Sequence, residues 1–404
     1  MSGESVPVGE AGNLGEAGQA ARATWRPRVS LAPGGRVAWR SYTLLLVLAL
    51  IWIAFQFLTN GIFLTPRNLS LLALQSSIVS LAAISAVMLI VTRNFDLSVG
   101  SGVALVGTIL AILTVKMHVH PVIGVLAAIA AGLLMGAWQG LWVTRLGVSS
   151  FIVTLAGLLY FRGFSMIIAD GATIAPLPSS LTEFATGALN PRAAIALIVA
   201  VCALALVVRA REARRSQALG LLTNARSFFL TGAIPAVIAT VLVCWIASVQ
   251  GIPNLVLVVA FFAGLAHLVM TRTRYGAQLY AIGGNPEAAR LAGIDVRRAI
   301  FIDFLIAGLA YGVTGVALTA RVSGSVPGSA GLFLELDAIA AAIIGGTALA
   351  GGRGTIVGAL LGALLMGSLN NGLSLMNVET FYQDTVRGVV LLLAVAIDQF
   401  SRRR

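Results

Sequence analysis

The sequence has a single lysine, Lys116, preceded by Val115 and followed by Met117. A phosphate-binding P-loop needs Gly-Lys followed by Ser or Thr. No standard P-loop is therefore encoded, and any ATP-driven work must come from another polypeptide. Charge of either sign is scarce: charged residues make up 10% of the chain, against about 25% in an ordinary soluble domain. There are three histidines. His118 and His120 have no third ligand nearby, so no metal site is expected. His267, inside an apolar run, reads as a hydrogen-bonded core histidine. No array of Glu, Asp and His recurs through the apolar runs, which argues against a proton relay. The two cysteines, Cys202 and Cys244, lie in apolar runs and read as small buried thiols rather than a disulfide.

Apolar residues are abundant. They make up 58% of the chain, and the mean hydropathy is +0.95. One soluble core cannot hold them all, so lipid must solvate much of the surface. A bilayer core of about 30 Å takes roughly 20 apolar residues per helix. Twelve candidate spans follow, near 42–59, 69–91, 97–115, 121–144, 150–168, 193–208, 229–248, 254–271, 299–320, 337–351, 355–376 and 386–400. The expected fold is an all-α, polytopic transmembrane bundle of about 10–12 spans, with 97–115 and 337–351 the weakest. Residues 1–40 read as a disordered cytoplasmic tail, 41–400 as the membrane domain and 401–404 as a second cytoplasmic tail. No cleavable signal peptide is visible.

The net charge of +12 could suggest nucleic acid, but the arginines flank apolar spans. There they set topology and meet lipid headgroups. With the N-terminus in the cytosol, 21 of the 27 basic residues fall inside; Arg67, Lys116, Arg162, Arg192, Arg321 and Arg387 fall outside. That split places both termini in the cytosol.

Three stretches carry chemistry. Asp96 lies in RNFDLSVGSG between two apolar runs. Ser98 and Gly100 after it allow a broken or re-entrant backbone lining a path; a helix N-cap is the other reading, and the two are compatible. Asp303 and Asp398 read as interface residues. Gly354, Gly358 and Gly362 repeat every fourth position as one smooth helix face for close packing, either within the bundle or against a second subunit. Asn370 and Asn371 place two amides in an apolar helix, where a sugar hydroxyl or another helix would pair with them. In the polar loop 272–298, Pro286 after Asn285 starts a short helix bearing Ala288, Ala289 and Leu291, which Gly293 stops. Such a helix could lie on the membrane surface or dock a partner.

The chain resembles the permease subunits of the ribose/xylose/arabinose class of bacterial ABC importers, and most closely the xylose type. FDLSVGSGVAL at 95–105, YGAQLYAIGGNPEAARLAGIDV at 275–296 and the Gly- and Ala-rich stretch 335–376 carry the resemblance, with support from FIVTLAGLLYFRG at 151–163. It implies an ATP-driven sugar importer of the inner membrane, with xylose or a related monosaccharide as cargo. This chain would bind no cofactor and would be no enzyme; ATP and Mg would sit on partner ATPase subunits. The other implied partners are an extracytoplasmic sugar-binding protein and a second permease copy. The coupling role maps onto Asn285, Pro286, Ala288, Ala289, Gly293 and Ile294, and the first signature onto Asp96, Ser98 and Gly100. The alternatives are an ion-coupled secondary transporter or an ABC permease for a non-sugar solute. The chain departs from the family pattern where Arg93-Asn94-Phe95 replaces the usual Gly-Gly-Ile. Residues 193–250 add two apolar spans to the ribose-type pattern, as in xylose-type permeases.

Overall fold

The structure, a computed structural model, describes residues 34–218 and 251–402 and the isolated positions 237, 240, 241, 243–245 and 247. Residues 1–33 of the expected tail, most of the expected span 229–248 and residues 403–404 lie outside the described residues. The chain divides into two compact units, residues 1–42 and 43–404. All elements below belong to the second, apart from the first turns of α1.

The described helices are α1 (Gly34–Leu58), α2 (Pro66–Val91), α3 (Val99–Ala111, prolonged by a π turn, Ile112–Lys116), α4 (Pro121–Thr144), α5 (Ser150–Ile168), α6 (Ser179–Thr186) and α7 (Pro191–Ala218). After the second β segment come α8 (Asn254–Arg272), α9 (Arg274–Gly284), α10 (Pro286–Leu291), α11 (Val296–Arg321), α12 (Leu334–Ile344), α13 (Ile356–Leu375) and α14 (Thr380–Arg402). The strands β1 (Ala188–Leu189) and β2 (Ile252–Pro253) form one antiparallel pair, with Ala188 opposite Pro253. Three helix starts share one local rule: a capping side chain, then proline in the first turn, where a missing N–H costs nothing. Thr65–Pro66, His120–Pro121 and Asn285–Pro286 all obey it.

Seven of the described helices are long and apolar enough to cross a membrane: α2, α3 with its π turn, α4, α5, α8, α11 and α13. Shorter apolar stretches cover Thr43–Leu58 and Pro191–Ala203. Helix α2 runs through the middle, almost wholly enclosed, with Ala82, Ala83, Val87 and Val91 fully buried. Helices α4, α5 and α8 turn large apolar side chains outward, among them Leu134, Leu159 and Leu268. Water would not tolerate that much exposed hydrocarbon, whereas lipid does.

The tightest seam joins α4 to α11. Gly132 and Gly136 on one helix face Gly308 and Gly312 on the other, and a Cβ on Gly132 would lie 2.5 Å from the Gly308 carbonyl oxygen. Only bare backbones approach this closely.

Some expectations require correction. The expected span 337–351 is α12, which has 11 residues and therefore a length of about 16 Å, half of what a crossing needs. The expected three-glycine face begins one position too early, because Gly354 precedes the start of α13 at Ile356. Gly358 and Gly362 do pack closely, against Gly345 and Ala341 of the α12 hairpin, so this contact is internal to the chain. His267 is on the exposed side of α8, not in the core. Cys202 and Cys244 are half-buried thiols.

Candidate functional site

Two non-helical segments between helices bear on the same region. The first, residues 92–98, joins α2 to α3. Thr92 ends α2, and Arg93 takes a left-handed backbone with φ 66°. A non-glycine residue there costs about 1–2 kcal/mol. Two charge-assisted bonds offset it: Arg93 donates from Nε to the Gly283 carbonyl (2.8 Å) and from Nη2 to the Gly284 carbonyl (2.7 Å). Arginine thus gains a structural role at this position. The segment then passes α5, where the Phe95 amide donates to Ser150 Oγ at 3.3 Å and Thr154 Oγ1 donates to the Phe95 carbonyl at 3.3 Å.

The second segment, residues 322–333, joins α11 to α12. Arg162 of α5 holds it by donating to the carbonyls of Pro327 (3.0 Å) and Ala330 (2.6 Å). Thr108, Ser165 and Ser325 add a buried hydroxyl cluster, with contacts of 2.8 and 3.0 Å. The first turn of α3 meets the second segment at Gly100 and Gly331: a Cβ on Gly100 would overlap the Gly331 carbonyl and the Glu335 carboxylate. The N-terminal ends of α3 and α12 therefore face each other across bare backbone.

Around that meeting point lies a closed polar ring. Asp96 Oδ1 accepts from the Ser98 amide (2.8 Å) and from Ser98 Oγ (2.7 Å). Gln139 of α4 donates from Nε2 to Ser98 Oγ (2.6 Å), and Tyr311 Oη lies 2.9 Å from Gln139 Oε1. Tyr311 Oη and Asp96 Oδ2 close the ring. Ser98, Gln139 and Tyr311 are fully buried, and Asp96 is 8% exposed. Ser98 occupies the cap position of α3 but makes no side-chain cap bond; Asp96 bonds the cap residue's own amide. Tyr311 and Gln139 went unnoticed in the sequence, because each is a lone polar residue in an apolar helix.

The amides expected on the path have protein partners. Asn371 and Asn68 form a reciprocal buried pair, at 2.8 and 3.1 Å. Asn370 Oδ1 accepts from Arg387 Nε at 2.7 Å, and Arg387 also pairs with Asp384 at 3.2 Å. Arg387 and Asp384 line a cleft of about 110 Å³ with Asp337 and Phe333. Asp303 accepts from Thr92 Oγ1 through Oδ2 at 3.1 Å, while its Oδ1 has no partner. The side chain of Asp398 lies outside the described residues. Among the described residues, no three His, Cys, Asp or Glu side chains cluster as a metal site would need.

The loop 272–298 folds as α9 and α10. Asn285 Oδ1 caps α10 by accepting from the amides of Glu287 (3.0 Å) and Ala288 (3.1 Å). Pro286 follows in the first turn, and Gly293 ends the motif at φ +82°. Ala289 points inward onto Ile282 and Ala299, with Ile294 packed beside them. Asn285, Ala288 and Gly293 face solvent, and Leu291 is 90% exposed. Beneath α10, the bundle is stitched tightly. The Gly352 amide donates to the Val91 carbonyl (2.8 Å) and Tyr280 Oη donates to the Gly354 carbonyl (2.7 Å). Burial pushes the Tyr280 phenol above its ordinary range, so it stays a donor. Gly283 is pressed against Val91 and Gly352 so closely that any Cβ would collide. Residues 92–98, α9 and the turn at Gly352 are therefore joined directly beneath α10.

Over residues 68–395 the sequence matches the family described as the branched-chain amino acid transport system/permease component. The chain belongs to this permease family. Similarity extends to named relatives. The chain is 39% identical over 365 residues to the xylose transport system permease protein XylH of Escherichia coli K12, which covers 90% of this chain and 92% of that protein. The Haemophilus influenzae XylH is 40% identical over 365 residues, 90% of this chain and 97% of that protein. The ribose import permease protein RbsC of Escherichia coli K12 is 34% identical over 361 residues, 89% of this chain and 94% of that protein. No solved structure matches the chain. As a permease of this family, the chain is a multi-pass membrane protein and a transporter component rather than an enzyme, and residues 92–98, residues 322–333 and α10 fall inside the matched region.

Proposed function

We propose that this permease is the membrane subunit of an ATP-driven importer for a monosaccharide, with xylose the first candidate, in the bacterial inner membrane. The observation that carries the coupling half of this reading is α10: a capped, outward-facing helix whose Leu291 lacks cover. It is tied through Gly283, Gly284 and Arg93 to a re-entrant segment inside the bundle. Identity to the xylose permeases carries the substrate half.

On this reading α10 lies in the cytosol with both termini and docks a separate ATPase subunit, which holds ATP and Mg. Ala288 and Leu291 enter the partner's groove, while Ala289 and Ile294 root the helix. A push on α10 passes through α9 and the Arg93 clamp to residues 92–98. The end of α3 then shifts against the end of α12, and the path between two permease copies changes its open side. Each partner must favour one of the two states to drive the change. Asp96, Ser98 and Gly100 position the wall of that path, and the cleft lined by Asp384 and Arg387 lies along it, with Asn370 bonded to Arg387. A sugar-binding protein delivers the cargo from the outer face. A second reading, a permease for a branched-chain amino acid, rests on the family's description.

The test is co-purification of the solubilised chain with a candidate ATPase subunit from the same organism, followed by hydrolysis in liposomes. Stimulation by the xylose-loaded binding protein is the expected result. Stimulation by leucine alone would support the second reading, and an ATPase that never associates would refute the first.

A further inference from the structure

The ring around Asp96 can be counted in hydrogens. It has four edges: Ser98 Oγ to Asp96 Oδ1, Asp96 Oδ2 to Tyr311 Oη, Tyr311 Oη to Gln139 Oε1, and Gln139 Nε2 to Ser98 Oγ. Each edge needs one hydrogen between its two heavy atoms. Serine and tyrosine hydroxyls carry one each. The Gln139 amide nitrogen faces one edge only, whichever way the amide is turned, so it supplies one more. An ionised Asp96 supplies none. Three hydrogens cannot fill four edges, and an ionised carboxylate would leave two lone pairs opposed among side chains that are almost wholly buried. The closest approach of Ser98 Oγ to Tyr311 Oη, 3.3 Å, adds no hydrogen to the count.

We infer that Asp96 is a permanently protonated, neutral acid that donates through Oδ2 to Tyr311 and so fastens the first re-entrant segment to α4 and α11. Tyr311 then donates to Gln139, Gln139 to Ser98, and Ser98 to Asp96 Oδ1. Every edge is filled, and the Ser98 amide fills the remaining acceptor of Oδ1. The surroundings agree. Among the described residues no cation bonds Asp96: Arg93 on its own segment donates to Gly283 and Gly284, and Arg162 on α5 donates to Pro327 and Ala330. From α5, α11 and α12 the titratable groups that face it are Tyr160, Tyr311 and Glu335, none of which carries positive charge; α4 offers the neutral Gln139. A buried charge without a counter-ion or full hydrogen bonding is the costliest arrangement available to a carboxyl group, whereas a neutral acid in a filled ring is not. Asp96 is on this account a positioning residue: its proton is structural and is not passed along with cargo.

The substitution Asp96→Asn would supply the same fourth hydrogen, the new amide donating to Tyr311 and its oxygen accepting from Ser98. It is therefore the informative variant. Infrared difference spectra of wild type against Asp96→Asn, in lipid across the neutral pH range, should show the carbonyl stretch of a protonated acid and no carboxylate stretch. A carboxylate pair in that difference spectrum would overturn the inference, whatever the transport activity. The second arm rests on the importer reading and measures uptake. Asp96→Asn should keep it within about twofold, while Asp96→Ala, which strands Tyr311 and Ser98, should lower it by about tenfold or more. A tenfold loss in Asp96→Asn with the protein still inserted would show that the charge is used, and would also overturn the inference. Should Asp96→Ala fail to fold, the infrared comparison and the Asp96→Asn uptake still decide the matter.

Discussion

Replacing Asn285 with alanine removes the side chain that starts α10 and nothing else. The helix has six residues, far below the length at which a helix stands alone in water. It persists because its beginning is capped by Asn285 and Ala289 roots its inner side. Loss of an Asn cap costs about 1 kcal/mol, which raises the opening of the helix about fivefold, since 1.4 kcal/mol is a factor of ten. Hydrogen exchange reads this directly. The amides of Ala289 and Ala292 donate to the carbonyls of Asn285 and Ala288 at 3.0 Å, and their exchange should speed up about fivefold in the Asn285→Ala variant. Asn285→Asp keeps an acceptor at the cap and should exchange near the wild-type rate. ATP-dependent uptake should fall in the alanine variant with membrane insertion unchanged. Wild-type exchange in Asn285→Ala would show that the cap does not hold the helix; altered exchange with undiminished uptake would separate α10 from coupling.

Three further outcomes are expected. Gly362→Leu places a Cβ 2.8 Å from the Ala341 carbonyl carbon, so α12 and α13 must part; the variant should lose about 1–3 kcal/mol of stability, read as lower melting in detergent. Asn371→Ala leaves Asn68 Oδ1 buried without its donor, a cost of about 1–3 kcal/mol that the same melting assay should detect, with Asn371→Asp no substitute. Gly293→Leu forces a side chain onto φ +82° in open space, straining the joint by about 1–2 kcal/mol without a clash; protease digestion at 291–295 should quicken and uptake should fall while insertion is retained.

Much of this architecture was legible in the residues. Seven of the twelve expected spans followed from apolar length, and α10 followed from the order Asn285, Pro286, Gly293, since caps and stops act within one turn. The break at Asp96 was visible as a carboxyl followed by small residues. What the sequence could not reveal were contacts between distant residues. Tyr311 and Gln139 each look like an isolated polar residue in an apolar helix; only packing brings them to Asp96. The α4–α11 seam divides its glycines between two helices more than 150 residues apart in sequence, so neither set declares its partner. Helix α12 was mistaken for a span because its apolar run continues through Gly345 and Gly346, where glycine at φ +94° turns the chain back. His267 was misplaced because an apolar run does not tell which side of the helix faces lipid.

The central claim is that this chain forms a conduit moved by a partner's ATP hydrolysis through α10. It is tested most directly by uptake of radiolabelled xylose into liposomes holding the purified permease, its ATPase and the binding protein. Accumulation above the outside concentration only with hydrolysable ATP, and its loss when the ATPase is left out, is the predicted result. Accumulation by the permease alone on an ion gradient would contradict the account.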